Sequence, residues 1–350
     1  MSARRVLTVL DDRRGELETC GYCPKLCRAT CPVSEAESSE ALTPWGKMTL
    51  TWYEARGDLA PDRDLAALAW GCTGCLGCRE RCAHKNPLVP TLEAARGVAH
   101  RRGLAPPGSE RALRAFTNHR ARAHGRRIAP DPKARAVLVT GCGYAERGGR
   151  ELDDARRVAA VLAGPVAEAE GCCGLVARLA GDEERARIER RALLAEVRGR
   201  TLLVADAGCA LELRDEGAVT LAELGASRLD RVERLRDPPP AVRYHDPCRL
   251  ARGLGVVEEP RSILEKALGA PAAEFERNRE GGACSGAGGL LPFALPRAAR
   301  TIARGRIAEH ERLGGGTIVT ACSASLAWFR AQGASAVDLV TILARGVSNG

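Results

Sequence analysis

Aromatic residues are scarce in this 350-residue chain: four each of Trp, Tyr and Phe, 3% of the total. Cores with so few large rings must close on small side chains, so the abundant Ala and Gly predict helix-rich packing with closely approaching backbones. No apolar run approaches the roughly 20 residues that cross a bilayer, so no direct membrane insertion is expected and any membrane association must come through a partner. No apolar stretch follows Met1-Ser2-Ala3-Arg4-Arg5, which predicts no secretory leader and a cytoplasmic location. No GxGxxG fingerprint opens a strand–turn–helix unit, so a flavin or nicotinamide site is expected on another polypeptide. The net charge of +9 lies mostly on Arg. Those arginines are scattered through helical segments, with no stripe interleaved with aromatics. Solvated helix faces account for them, and no nucleic-acid partner is expected.

What the chain has is sulfur. Fifteen cysteines is a high count, and an odd number argues against a purely disulfide-bonded secreted protein. Cys72-Thr73-Gly74-Cys75-Leu76-Gly77-Cys78-Arg79-Glu80-Arg81-Cys82 spaces four thiols by two, two and three residues, the run with which bacterial-type ferredoxins hold a [4Fe–4S] cluster. Gly74 and Gly77 let the backbone close on the sulfides. A second run lies upstream at Cys20, Cys23, Cys27 and Cys31-Pro32, where Pro24-Lys25-Leu26 inserts one extra residue and must bulge. In two-cluster ferredoxins each run gives three ligands to one cluster and its fourth to the other. Applied here, Cys72, Cys75, Cys78 and Cys31 form one set, and Cys20, Cys23, Cys27 and Cys82 the other. A disulfide framework or a zinc knuckle is the alternative for such spacing, and a zinc-stabilised structural or nucleic-acid-binding protein the functional class that would go with it.

The chain divides by composition. Residues 1–102 read as a helical domain carrying both runs, with helices over about 44–56, 62–70 and 88–102. Residues 103–135, with Pro106-Pro107-Gly108, a basic helix near 109–124 and Pro130-Asp131-Pro132, read as a linker. Two α/β units follow, over 136–237 and 238–350. In the first, strands at 136–140 and 201–205 end on Gly141-Cys142 and Gly208-Cys209, with Cys172-Cys173-Gly174 between them. In the second, Tyr244-His245-Asp246-Pro247-Cys248, Ala283-Cys284-Ser285-Gly286 and Ala321-Cys322 repeat the pattern. Matched cysteines lie 106, 112 and 113 residues apart, the mark of an internal duplication. Thiols at strand ends near helix N-termini are expected to titrate low and favour the thiolate a metal needs.

The remaining motifs are read more plainly. Gly286-Ala287-Gly288-Gly289 follows a cysteine, so close backbone approach to a cluster explains it better than phosphate binding. His84 and His245 adjoin cysteine motifs, where they either tune a cluster by hydrogen bonding or simply pack. Trp45, Trp52 and Trp70 are expected to fill the small helical core.

These motifs together resemble the iron–sulfur proteins that join an α-helical ferredoxin domain to two cysteine-rich CCG domains, a family including the iron–sulfur subunits of heterodisulfide reductase and of glycolate oxidase. The resemblance implies an α+β multidomain chain: a ferredoxin domain over 1–102 with two [4Fe–4S] clusters, CCG copy one over 136–237 and a degenerate copy two over 238–350. It implies an electron-transfer subunit serving an FAD-containing flavoprotein partner of the 2-hydroxy-acid dehydrogenase type. The family's five-cysteine pattern is incomplete here. Copy one has Cys142, Cys172, Cys173 and Cys209 with Glu212 at the fifth place, enough for an ordinary four-ligand cluster. Copy two has Cys248, Cys284 and Cys322, with Ser285 and Ser325 where cysteines belong, and holds a cluster with an open iron, zinc or nothing. That departure weighs against the competing activity, heterodisulfide or thiol–disulfide reduction at the CCG domains, and leaves electron transfer intact. No catalytic residue follows from the sequence.

Overall fold

The computed structural model describes residues 7–123, 133–147 and 149–348. The first five residues and Pro130-Asp131-Pro132 of the linker lie outside them. Contacts divide the chain into two units, one of Met1–Arg114, Val176–Arg185 and Cys284–Ala303, the other of Ala115–Leu175, Ala186–Ala283 and Arg304–Gly350.

The first unit is helical. Helices Arg14–Gly21, Pro44–Ala55 and Leu88–Arg101 pack on one another around Leu17, Met48, Trp52 and Leu92. Pro44 starts the middle helix because its missing N–H falls in the first turn, and the Thr43 hydroxyl caps it by accepting from Gly46 N at 2.9 Å. Asp62 caps the next helix, Arg63–Ala67, accepting from Leu65 N at 2.7 Å, and the chain tightens to a 3-10 turn over Leu68–Trp70. Trp52 and Trp70 are buried as expected, while Trp45 is half-buried. The basic helix of the linker runs Pro107–Ala123.

Arg96 explains why three separated segments belong to this unit. Its guanidinium is 1% exposed and donates to the carbonyls of Ala69, Cys72, Leu179 and Gly289, at 2.9 to 3.3 Å. The planar fork offers five N–H donors, enough to serve several carbonyls at once.

The second unit holds two four-stranded parallel sheets. The first has the order β2-β1-β3-β4, from Ala136–Val139 (β1), Val166–Glu168 (β2), Thr201–Val204 (β3) and Val219–Thr220 (β4). The second has the order β6-β5-β7-β8, from Val242–Tyr244 (β5), Ala273–Glu274 (β6), Thr317–Thr320 (β7) and Ala336–Asp338 (β8). The two orders are the same. Each sheet starts in the middle, and its second and third strands flank the first. The short edge strands β2 and β6 carry no apolar run, so the sequence reading passes over them.

The halves are joined by exchange of helices. The first long helix after β1, Arg150–Ala163, packs on the last helix of the second half, Leu339–Gly346, while Leu221–Ala226 of the first half packs on Glu258–Leu268 of the second. One apolar core runs through both, with Leu138, Val158, Leu203, Ile263, Val319 and Ile342 all buried. Among the described residues no helix is long and apolar enough to cross a membrane.

Candidate metal centres

Two cavities in the helical unit gather the cysteines of both runs. One, of about 80 Å³, is lined by Cys20, Cys23, Cys27 and Cys82, with Cys78, Trp45, His84 and Asn86 also on its wall. The other, of about 20 Å³, is lined by Cys31, Cys72, Cys75 and Cys78, with Lys47 beside them. Three thiols of each run therefore meet the last thiol of the other. Left-handed residues bend the loops to do this: Lys25 (φ 70°) absorbs the bulge of Pro24-Lys25-Leu26, and Gly74 (φ 67°) and Leu76 (φ 62°) turn the second run. Cys31 stands at a helix N-cap with Pro32 as the first helical residue. Among the described residues no three His, Cys, Asp or Glu side chains gather as tightly as a single ion needs.

The donor set fits an anionic cluster. Asn86 Nδ2 donates to Cys20 Sγ at 3.0 Å, Gly74 N to Cys72 Sγ at 3.4 Å, and Lys47 Nζ to Cys31 Sγ at 3.6 Å. Such donors stabilise charge on sulfur once metal has displaced the protons. Without metal, burial pushes the Cys20 thiol up to about 12, against the pull of Asn86, and also raises Cys27 and Cys78.

In the second unit the first sheet sets up a separate cavity of about 40 Å³. Cys142 follows β1, Cys172 and Cys173 follow β2, and Cys209 follows β3. All four line that cavity at the carboxyl ends of neighbouring strands, where β2 and β3 diverge to either side of β1, the position at which open parallel sheets bind ligands. Cys142 Sγ lies 3.6 Å from Cys172 Sγ, and Cys173 Sγ 3.3 Å from Cys209 Sγ. Gly141 (φ 88°) leaves room here, because a Cβ would come within 2.9 Å of Asp206 Cβ and 3.3 Å of Cys209 Sγ. The expectation that strand-end thiols titrate low is not met at Cys173 or Cys209. Hydrogen bonds to Cys172 and Cys209, with burial behind them, hold the Cys173 thiol well above its ordinary value. The helix after β3, Ala207–Glu212, spends its first N–H groups on Asp206, which accepts from Gly208 N and Cys209 N. At Cys209 the hydrogen bond with Cys173 pulls the thiol down, and burial and nearby negative charge together outweigh it and raise the thiol. Glu212 sits on that helix and does not line the cavity.

One turn recurs at three of the cysteines that have a glycine two residues on. Gly74 N donates to Cys72 Sγ at 3.4 Å, Gly174 N to Cys172 Sγ at 3.4 Å, and Gly286 N to Cys284 Sγ at 3.3 Å. All three glycines have φ between 67° and 81°.

The second cysteine set is divided: Cys248 and Cys322 fall in the second unit, and Cys284 in the helical one. Burial pushes the Cys322 thiol up to about 12, with the Asp206 carboxylate adding to it and hydrogen bonds from Ser325 opposing it. Ser325 is thus a hydrogen-bond partner of Cys322. His245 is 1% exposed, its ring edge-on to Phe275 and Phe329, its Nδ1 accepting from Arg306 Nε at 3.3 Å. It packs; His84 is the histidine on a cysteine cavity. Gly288 and Gly289 press on the Cys72 loop, where added Cβ atoms would lie 2.4 Å from the Thr73 carbonyl and 2.0 Å from the Cys72 carbonyl. The run closes on the backbone of the cysteine loop.

Sequence reasoning missed a buried acid. Asp338, 1% exposed at the end of β8, caps helix Leu339–Gly346 through Val340 N at 2.9 Å and accepts from Tyr144 OH at 2.6 Å. Burial raises it to about 7, against those two hydrogen bonds. An Asp before an apolar helix is an N-cap signal that the sequence does carry. Thr220 stands at the matching place in the first half.

The sequence matches the model of a 4Fe-4S dicluster domain over residues 16–86 and that of a cysteine-rich domain, CCG, over residues 136–214 and 242–330. It is 26% identical over 334 residues to one subunit of the fumarate reductase (CoM/CoB) of Methanothermobacter marburgensis, an alignment covering 85% of this chain and 64% of that protein. It is 28% identical over 348 residues to one subunit of the dihydromethanophenazine:CoB–CoM heterodisulfide reductase of Methanosarcina mazei, covering 84% and 83%. A 46-residue stretch, 13% of the chain, is 50% identical to the EtfAB:quinone oxidoreductase of Syntrophomonas wolfei, covering 6% of that protein. Both cysteine runs fall inside the dicluster match, and all seven later cysteines inside the two CCG matches. The chain belongs to the iron–sulfur proteins that join a 4Fe-4S dicluster domain to two CCG cysteine-rich domains, and is an oxidoreductase iron–sulfur subunit homologous to that heterodisulfide reductase polypeptide.

Proposed function

We propose that this chain passes electrons between an FAD-containing dehydrogenase partner of the 2-hydroxy-acid type and an acceptor site at its first CCG domain. Cys20, Cys23, Cys27 and Cys82 hold one [4Fe–4S] cluster, and Cys31, Cys72, Cys75 and Cys78 the other. When bound, such clusters supply reversible one-electron transfer. The chain's own residues present thiolates, supply N–H donors to sulfur and shield both from water. The observation that carries this reading is the crossed lining of the two cavities: Cys82 joins Cys20, Cys23 and Cys27, and Cys31 joins Cys72, Cys75 and Cys78, with Cys78 on both walls. Cys142, Cys172, Cys173 and Cys209 provide a third four-thiol site, while Cys248, Cys284 and Cys322 lack a fourth thiol. The flavoprotein assignment rests on the lack of a dinucleotide fingerprint here and on the relatives being subunits of larger enzymes.

Anaerobically prepared protein is expected to hold about eight irons, with matching acid-labile sulfide, in the N-terminal domain alone. Cys75→Ser is expected to remove one of two dithionite-reducible signals in low-temperature magnetic resonance. A colourless protein containing only zinc, or a Cys75→Ser variant with both signals at full strength, refutes the reading.

One observation favours a second activity. The 3.6 Å and 3.3 Å sulfur pairs of the first CCG cavity bring two dithiols together, the group that disulfide exchange uses. A disulfide reductase assay with a reduced dye as donor decides: turnover that disappears in Cys173→Ser supports it, and its absence in the wild type leaves electron transfer alone.

A further inference from the structure

The two cysteine cavities of the helical unit differ in the charge beside the sulfur. At the Cys20 site the donor is neutral, the Asn86 amide at 3.0 Å. At the Cys31 site it is a cation. Lys47, 1% exposed on helix Pro44–Ala55, places Nζ 3.6 Å from Cys31 Sγ and 2.7 Å from the Gly71 carbonyl. A second buried cation stands on the same loop, because Arg96 donates to the Cys72 carbonyl at 2.9 Å and to that of Ala69.

An ammonium taken out of water is costly unless negative charge comes with it. Lys47 donates to a carbonyl and a thiol, and among the described residues no carboxylate pairs with it. The compensating charge must come from the sulfur set itself, as thiolates around a metal cluster supply. The same attraction has a redox consequence. Adding an electron makes the site more negative, so a fixed neighbouring cation stabilises the reduced form more than the oxidised one, and low dielectric keeps that difference from being screened. The Asn86 dipole acts the same way at the other site, more weakly than a full charge.

We propose that Lys47 makes the site of Cys31, Cys72, Cys75 and Cys78 the higher-potential of the two N-terminal clusters, the one on which an incoming electron rests. The proposal rests on the ligand assignment above. One electron is gained at the site, and Lys47 exchanges neither bond nor proton. Lys47 is a tuning residue, acting through Cys31.

The test is a potentiometric titration of the anaerobic full-length protein with dithionite, followed by low-temperature magnetic resonance. Two one-electron steps are expected in the wild type. In Lys47→Met the higher step should fall, lowering the ratio of reduced to oxidised protein at least tenfold at fixed potential, about 59 mV for one electron. The lower step should stay, and Lys47→Arg should keep both. Cys75→Ser, in the wild-type background, should remove the higher step, so the assignment is read even where Lys47→Met fails to load iron. The proposal is overturned where Lys47→Met moves neither step or both equally, or where Cys75→Ser removes the lower one. Far fewer than about eight irons in the wild-type protein instead counts against the ligand assignment itself.

Discussion

Gly289→Ala is expected to destabilise the helical unit by about 3–5 kcal/mol and to deplete iron from the site of the second cysteine run. Gly289 has φ 64°, where a side chain already costs on the order of 1–2 kcal/mol. Its new methyl would sit 2.0 Å from the Cys72 carbonyl and 2.8 Å from Thr73 Cα. Neither neighbour is a flexible side-chain tip. Both are backbone of the cysteine loop, and the Cys72 carbonyl is also held by Arg96. The strain must move the loop, and with it the sulfur. Gly305→Ala is the control, since a Cβ there meets nothing within 4 Å and the residue lies inside helix Pro296–Arg312. It should be neutral or stabilising by up to about 1 kcal/mol. Thermal unfolding and iron content measured on both variants check this. A Gly289→Ala protein as stable and as fully loaded as wild type refutes the close approach.

The second large effect is a pH dependence centred on Asp338. Its carboxyl, raised from 3.8 to about 7 by burial, keeps its proton in the folded protein over a range where the unfolded chain has released it. Around it stand Tyr144, which donates to it, and the carboxylates of Glu151 and Asp206, which repel added charge. The stability from this difference is therefore fully present below pH 3.8 and is lost as pH rises through about 7. At 1.36 kcal/mol per pKa unit the loss is roughly 4 kcal/mol across that window. Asp338→Asn keeps an acceptor for Val340 and cannot ionise. Its stability relative to wild type should rise between pH 5 and pH 8 by about 2.7 kcal/mol, the share of that loss falling in the two pKa units between pH 5 and 7. Denaturation midpoints of the two proteins at both pH values give the answer. Parallel pH profiles would remove Asp338 as the cause.

Much of this was open to reading from residue spacing. The cysteine runs, strand ends and repeat interval specify local turns, and local turns are what spacing encodes. The strands at 136–140 and 201–205 announce themselves because both faces are buried and nearly every position is apolar. The edge strands Val166–Glu168 and Ala273–Glu274 are too short and polar to do so. Spacing places Cys142 and Cys209 at strand ends but misjudges the titration of Cys209, raised against the hydrogen bond with Cys173 by burial and nearby negative charge, because burial depends on the whole fold while helix position depends on neighbours. Arg96 gives no signal at all. One arginine among 53 basic residues looks like any other until four carbonyls from distant segments converge on it.

The thrice-used turn Cys-x-Gly separates two things that most metal sites tie together. The residue between cysteine and glycine is Thr73 in one case, Cys173 in another and Ser285 in the third, yet the amide still points at the sulfur. Backbone amides do not titrate at physiological pH and do not oxidise. The scaffold therefore survives gain or loss of a thiol at the middle position, so the number of sulfurs at such a loop can drift without the loop having to be reinvented.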